Sequence, residues 1–268
     1  MADITSTHNE RVKLAHMLQT QVKVRRREKK IVLEGVRLLD DALKRGLLPE
    51  FVFYLSGDVT IERRMYRLFR HLDRLGIPCF AVTEAVMKRA SAVESPPGIL
   101  GIFPLPELPV PETPSLVLVL DGMSNPGNLG SALRTAAAAG VDLVLLPNTV
   151  DPYNPKALRG GMGAHFRVPI RRMSWPDIAL TYGHLLTYLA DAGGDTPYYA
   201  VDWLRPSMII IGSEAHGPRA RARQIAGTTI SIPMASEAES LNAAVAAGII
   251  LYEVRRQRTL SSQESASS

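Results

Sequence analysis

Four short, almost wholly apolar runs set the terms on which this chain can fold: residues 116–120, 143–146, 185–189 and 208–211. They lack the apolar–polar alternation of a strand with one wet face, and they are too short for buried helices. They therefore predict strands covered on both faces, the environment of a parallel sheet. Helix signatures lie between several of them, so the region reads as α/β with a mostly parallel sheet.

Upstream lies a different kind of segment. Pro104, Pro106, Pro109, Pro111 and Pro114 fall within eleven residues, a density that predicts a stiff extended linker. At 268 residues the chain has room for two domains. The expected division is a first domain at 1–103, a linker at 104–114, a second domain at 115–258 and a polar, fraying tail at 259–268. The first domain alternates as well. Helices are expected over 10–22 and 35–45, and strands over 51–55 and 77–82 flank a basic amphipathic helix at 61–75.

Hydrophobic residues at 46% and charged residues at 21% allow an ordinary globular core. A net charge of +5 and a pI near 9.4 favour anionic partners, nucleic acid first among them. The single cysteine, Cys79, excludes an intrachain disulfide and a multi-Cys metal site, and its apolar neighbours suggest a buried strand thiol. The six histidines (8, 16, 71, 165, 184 and 216) show no metal-ligand spacing, so no metal is expected. The chain shows no basic start followed by an apolar core and no apolar run of roughly 20 residues, so neither a signal peptide nor a membrane span is expected. The expected compartment is the cytoplasm. Neither a P-loop nor a G-x-S-x-G elbow is present.

Three loops follow apolar runs and carry the residue types that bind ligands. After Asp121, a turn rich in Gly, Pro and Asn precedes a helix ending near Gly140. Asn128 lies near that helix start, where backbone N–H groups attract anions, and Arg134 follows one and two-thirds turns later. Alone, this segment is equally well a capped helix with a solvated arginine. The second loop runs from Gly212 to Pro218, with glycines that permit close backbone approach and Glu214 at the carboxyl edge of a strand. A helix-capping glutamate explains that residue almost as well. The third contains Ile232 and leads through Ser240, Leu241 and Asn242 into an alanine-rich helix reaching about Arg255. Ser240 can cap that helix, whereas Asn242 just inside it is a poor interior residue. Together the three imply one composite ligand site.

The strings NPGNLGSALRTA, IGSEAHGP and IPMASEAESLNAAVAAGIILYE resemble the three signature motifs of the SpoU (TrmH-like) RNA 2′-O-ribose methyltransferases of the SPOUT class, in order and at suitable spacing. Asn154 to Pro169 resembles the stretch between the first two motifs, and Ile31 to Leu39 resembles the family's substrate-binding domain. The resemblance implies a SPOUT-type α/β catalytic domain with a C-terminal trefoil knot, preceded by a small α/β, L30e-like domain. It implies S-adenosylmethionine as methyl donor, contacted around Gly212, Ile232 and Leu241, and a homodimer as the working form. Its functional set maps onto Asn128, Arg134, Glu214, Ser240 and Asn242. Arg134 is the family's proposed base, yet a guanidinium normally stays charged. Two versions stand: Arg134 loses its proton in the assembled site, or it holds a phosphate and steadies the developing alkoxide while another group accepts the proton. One departure is Ala243-Ala244, where the family often has Val-Ser.

Six basic residues between positions 23 and 30, namely Lys23, Arg25, Arg26, Arg27, Lys29 and Lys30, suggest an RNA phosphate patch or, more plainly, a solvated face. Arg159 with Arg167, Arg171 and Arg172 forms a second candidate, and Arg255, Arg256 and Arg258 a third, for which a helix C-terminus is a sufficient explanation. The expected partner is RNA, ribosomal before transfer RNA. The rivals are an RNA-binding relative without catalysis and an α/β enzyme using another nucleotide; the latter lacks its glycine fingerprint after residue 120.

Overall fold

The computed structural model describes residues 3–55, 63–213, 217–235 and 240–267. By its internal contacts the chain divides into two units, Met1–Pro106 with Tyr153–Leu158, and Glu107–Pro152 with Arg159–Ser268.

The first unit opens with α1 (Glu10–Thr20), capped by the Asn9 side chain accepting from the Arg11 amide, and α2 (Val22–Glu28). Then follow β1 (Lys30–Glu34), α3 (Val36–Lys44), β2 (Phe51–Leu55) and α4 (Arg63–Arg74). The unit ends with β3 (Cys79–Val82), α5 (Glu84–Ala90) and β4 (Ile99–Pro104). Among the described residues the strands run in the order β1-β4-β2-β3, with β4 antiparallel to both neighbours and β2 parallel to β3. Val12, Leu18, Phe53, Val86, Leu100 and Ile102 pack in its core. Cys79 is half-buried rather than fully buried, and burial pushes its thiol up to about 11.

The second unit contains β5 (Leu116–Leu120), α6 (Pro126–Ala139) and β6 (Leu143–Leu145). The helix α7 (Pro155–Gly161) starts in the segment grouped with the first unit and ends in the second. Next come β7 (Ile170–Arg171), α8 (Trp175–Tyr182), β8 (Leu186–Ala190) and β9 (Thr196–Pro197). The unit closes with β10 (Ser207–Ile211), α9 (Ala220–Ile225), β11 (Thr228–Ser231) and α10 (Ala243–Ser267). Its strands lie in the order β7-β6-β5-β10-β8-β11-β9, all paired in parallel. The four apolar runs became β5, β6, β8 and β10, and the full burial of β5 and β10 explains why they carry no polar alternation. The fold is thus α/β with a mostly parallel sheet.

Two local expectations gain detail from the structure. The proline-rich stretch, expected as a stiff extended linker over 104–114, is engaged by neighbouring residues at several points. Pro104 ends β4 opposite Lys30, the Leu105 amide donates to the Lys29 carbonyl, the Leu108 carbonyl accepts from Arg171 at 2.5 Å, and Val110 packs against the core of the second unit. The last helix, expected to end near Arg255, continues to Ser267. No Pro or Gly interrupts residues 255–267, and Arg258 ties this turn down by donating to the Ser115 and Trp203 carbonyls at 2.9 and 3.0 Å.

Candidate active site

At the carboxyl ends of β8, β10 and β11, a cavity of about 210 Å³ opens beside the start of α10. Its described lining includes Gly212, Ile232, Ser240 and Leu241, so loops far apart in sequence meet at one place. The Gly212 backbone is pressed against the returning chain. A β-carbon there would lie 2.5 Å from the Pro218 nitrogen and 2.6 Å from the Gly217 carbonyl carbon, so only glycine fits. Glu214, between these two points, lies outside the described residues. The same cavity takes in Ala190, Asp191 and Ala192, which the sequence reading did not single out. Their signal was available: an apolar strand running into Asp191-Ala-Gly-Gly has the plan of the other loops.

The first loop leaves β5 at Asp121, which is fully buried. Burial raises the pKa of its carboxyl, against the lowering effect of Arg219, whose amide approaches at 3.4 Å. Gly122 follows with φ +67°, and a β-carbon there would meet the Arg219 guanidinium at 2.8 Å. Asp121 and Gly122 thus hold the start of α9, and with it the end of the second loop, against the first. Asn125 caps α6, its side chain accepting from the Gly127 and Asn128 amides at 2.8 and 3.4 Å. Asn128 is therefore the third residue of the helix, half-buried, and Arg134 is exposed on the same helix. Among the described residues neither lines the cavity.

The helix α10 joins these parts. It packs along α6, with Gly248 facing the Thr135 methyl and Arg255 donating to the Ala138 carbonyl at 3.3 Å. Its N-cap is Asn242, not Ser240. The Asn242 side chain accepts from the Ala244 and Val245 amides at 2.9 and 3.3 Å, which explains an asparagine beside an alanine-rich helix. Ser240, two residues earlier, is exposed on the cavity wall. Of the two alanines at the departure from the family pattern, Ala243 lines the cavity, while Ala244 is buried and joins the core. The hydroxyl missing at position 244 would therefore point at packed apolar groups.

A model of the SpoU rRNA Methylase family matches residues 115–252, and a model of the MRM3-like substrate binding domain matches residues 9–101. The chain belongs to the SpoU rRNA methylase family. It is 32% identical to the Bacillus subtilis 23S rRNA (guanosine(2553)-2′-O)-methyltransferase RlmP, across 95% of this chain and all of that one. It is 34% identical to mouse mitochondrial rRNA methyltransferase 3, across 87% of this chain and 69% of that one. Among solved structures, the SpoU methyltransferase AviRb of Streptomyces viridochromogenes in complex with AdoMet matches with a TM-score of 0.84 at 27% identity, covering 94% of this chain and 98% of that one.

In this SpoU family member the basic residues sort by burial. Lys23, Arg26, Arg27 and Lys29 are exposed, with Arg27 also paired to Glu28 at 2.8 Å, and Lys30, half-buried, pairs with Glu50 at 2.9 Å. Arg25 leaves the patch: it is 4% exposed and donates to the Leu18 carbonyl at 2.6 Å, closing the end of α1. In the second group Arg159 is exposed, while Arg167, Arg171 and Arg172 donate to the carbonyls of Gly163, Leu108 and Thr149. The third group is occupied as well. Arg255 donates to Ala138, Arg256 pairs with Glu253 at 2.7 Å, and Arg258 holds Ser115 and Trp203. Burial lowers the pKa of Arg258, consistent with a structural role.

Proposed function

We propose that this protein transfers a methyl group from S-adenosylmethionine to a ribose 2′-hydroxyl in ribosomal RNA. The observation that carries this reading is the convergence of Gly212, Ile232, Ser240 and Leu241 on one cavity, in a chain whose solved relative is complexed with AdoMet. The names of the relatives favour ribosomal over transfer RNA.

The cavity fits the donor in kind. It is mostly apolar, edged by backbone pressed close at Gly212, and suits an adenosine-sized group held by main-chain donors and acceptors. When bound, the donor supplies an activated methyl on a sulfonium, so the protein need not generate an electrophile. The chain's own work is to position the ribose and manage one proton. Arg134, exposed on α6, binds the phosphate beside the target ribose and steadies negative charge as the 2′-oxygen gives its proton to water. Asn128 and Glu214 orient that arginine and the ribose. Ser240 shapes the cavity edge, and Asn242 fixes the helix start that carries Leu241 and Ser240. Lys23, Arg26, Arg27, Lys29 and Arg159 hold RNA phosphates. The alternative in which Arg134 itself takes the proton predicts a different outcome on substitution by lysine.

The proposal includes the family's further features: a C-terminal trefoil knot, an L30e-like first unit, a homodimer and work in the cytoplasm. The strands β10, β8 and β11 lie side by side out of chain order, and their carboxyl ends all border the cavity. No described helix is long and apolar enough to cross a membrane.

The test is direct. Ribosomal RNA incubated with the protein and methyl-labelled S-adenosylmethionine should yield one labelled 2′-O-methylnucleoside after digestion. Arg134→Ala should abolish the label while RNA binding persists. Arg134→Lys retaining near-normal turnover would count against any special guanidinium role, and label found on a base would overturn the proposal.

A further inference from the structure

Among the described residues lining the cavity, Asp191 is the one ionisable side chain. It sits immediately after β8 and is anchored through its backbone on both sides. Its amide donates to the Ile230 carbonyl at 2.9 Å, and its carbonyl accepts from the Gly194 amide at 3.0 Å. Gly194 is wedged against β11, where a β-carbon would lie 2.6 Å from the Ile230 carbonyl carbon. The side chain is fixed too. Oδ1 accepts from the Gly193 amide at 3.1 Å, and the buried Oδ2 meets the Arg223 guanidinium at 2.5 Å.

The turn does not require a carboxylate, since Asn or Ser accepts an amide two residues on equally well. The ion pair does not require one for stability either: Arg223 is 54% exposed, and exposed pairs contribute little. What the arrangement creates is a rigid acceptor at a cavity wall: Oδ2 is buried against Arg223, while Oδ1 accepts one amide and keeps a second lone-pair position. Arg223 also balances its charge. That makes Asp191 a poor attractor of a cation and a good acceptor for neutral hydroxyl donors. An acid at the carboxyl end of a parallel strand, facing a nucleoside site, accepts from ribose hydroxyls in other open α/β folds.

We propose that Asp191 reads the ribose hydroxyls of the bound methyl donor, and so makes the cavity selective for a ribonucleoside. This rests on the donor reading above. It concerns binding alone, so it is tested without turnover. S-adenosylhomocysteine and its 2′-deoxy and 3′-deoxy analogues are titrated calorimetrically into the full chain and into Asp191→Asn and Asp191→Ser, both of which keep an acceptor for the Gly193 amide. The expected wild-type result is binding of the ribose form at least about tenfold tighter than one deoxy form, the worth of a hydrogen bond to a charged group. In the variants that preference should shrink to about threefold or less, with affinity for the deoxy form unchanged. A wild-type protein that binds S-adenosylhomocysteine without preference overturns this inference and leaves the donor reading intact, as does an equal loss for all three ligands in a variant. Failure of the wild type to bind any of them removes both.

Discussion

Single residues decide what the basic stretch before β1 can do. A dense run of positive charge is visible in any sequence, but helical phase decides which members reach water. In α2, Arg25 shares the inward face with Val24 and closes α1, whereas Arg26 and Arg27 stay exposed. Arg25→Ala should therefore lower stability by about 2 kcal/mol, the range for hydrogen bonds to a charged group. Thermal or urea unfolding checks it. Arg26→Ala with Arg27→Ala should leave stability alone, weaken RNA binding, and flatten its dependence on salt by about 0.7 to 0.9 in log–log slope per lost phosphate contact. An unchanged slope would remove these residues from the RNA surface. His165 carries a second expectation at this scale. It is buried, with Nε2 2.8 Å from the Pro152 carbonyl, and burial lowers its pKa from 6.5 to about 4. The unfolded chain takes up a proton at this residue near pH 6.5, whereas the folded protein resists it until about pH 4. The stability it supports is complete above pH 6.5 and is lost as pH falls toward 4, on the order of 3 kcal/mol. In His165→Gln, stability should decline less steeply across that interval, and a slope equal to the native protein's would refute the assignment. No sequence pattern distinguishes His165 from the other five histidines, because its burial arises from close packing around Gly161, whose β-carbon would lie 2.7 Å from the imidazole.

Elements were legible where one local rule applied and blurred where two did. The strand at residues 116–120 was read to the residue because its apolar character ends sharply at Asp121. The start of α10 was not, since Ser240 and Asn242 are both good caps before the same apolar run, and only the folded backbone selects Asn242. Capping by Asn242 separates structure from chemistry in a measurable way. Asn242→Ala should cost about 1 kcal/mol, and Asn242→Asp should keep most of that stability because Asp caps equally well. If both variants lose methyl transfer while only the alanine variant loses stability, the asparagine amide has a further part at the site. If transfer follows stability alone, capping is its whole role. The far end of α10 makes a related point. Polar, small residues suggested fraying, but helix continuation depended on Arg258 finding partners 143 and 55 residues away in sequence. Arg258→Ala should loosen the last turns and lower the melting temperature, measurable by circular dichroism.

For the whole molecule, the fold class followed from the apolar runs, and the candidate site from three loops that each looked ordinary alone. Sheet order was not legible. Nothing local tells β8 to lie between β10 and β11, and that placement brings Asp191 to the cavity beside Gly212 and Leu241. In the two later arginine groups the charge was legible and the partners were not, since Arg167, Arg171, Arg172, Arg255 and Arg258 all donate to backbone carbonyls. The site proposed for the second unit combines a mostly apolar cavity with an exposed Arg134 on α6, the helix packed along α10. Its central claim is ribose methylation of ribosomal RNA. The most direct measurement maps 2′-O-methylation across total RNA from cells with and without the protein, and with Arg134→Ala in its place. The expected result is a ribosomal RNA nucleotide methylated on its ribose only when the native protein is present. Identical maps in all three, or a protein-dependent methyl group on a base, would contradict it.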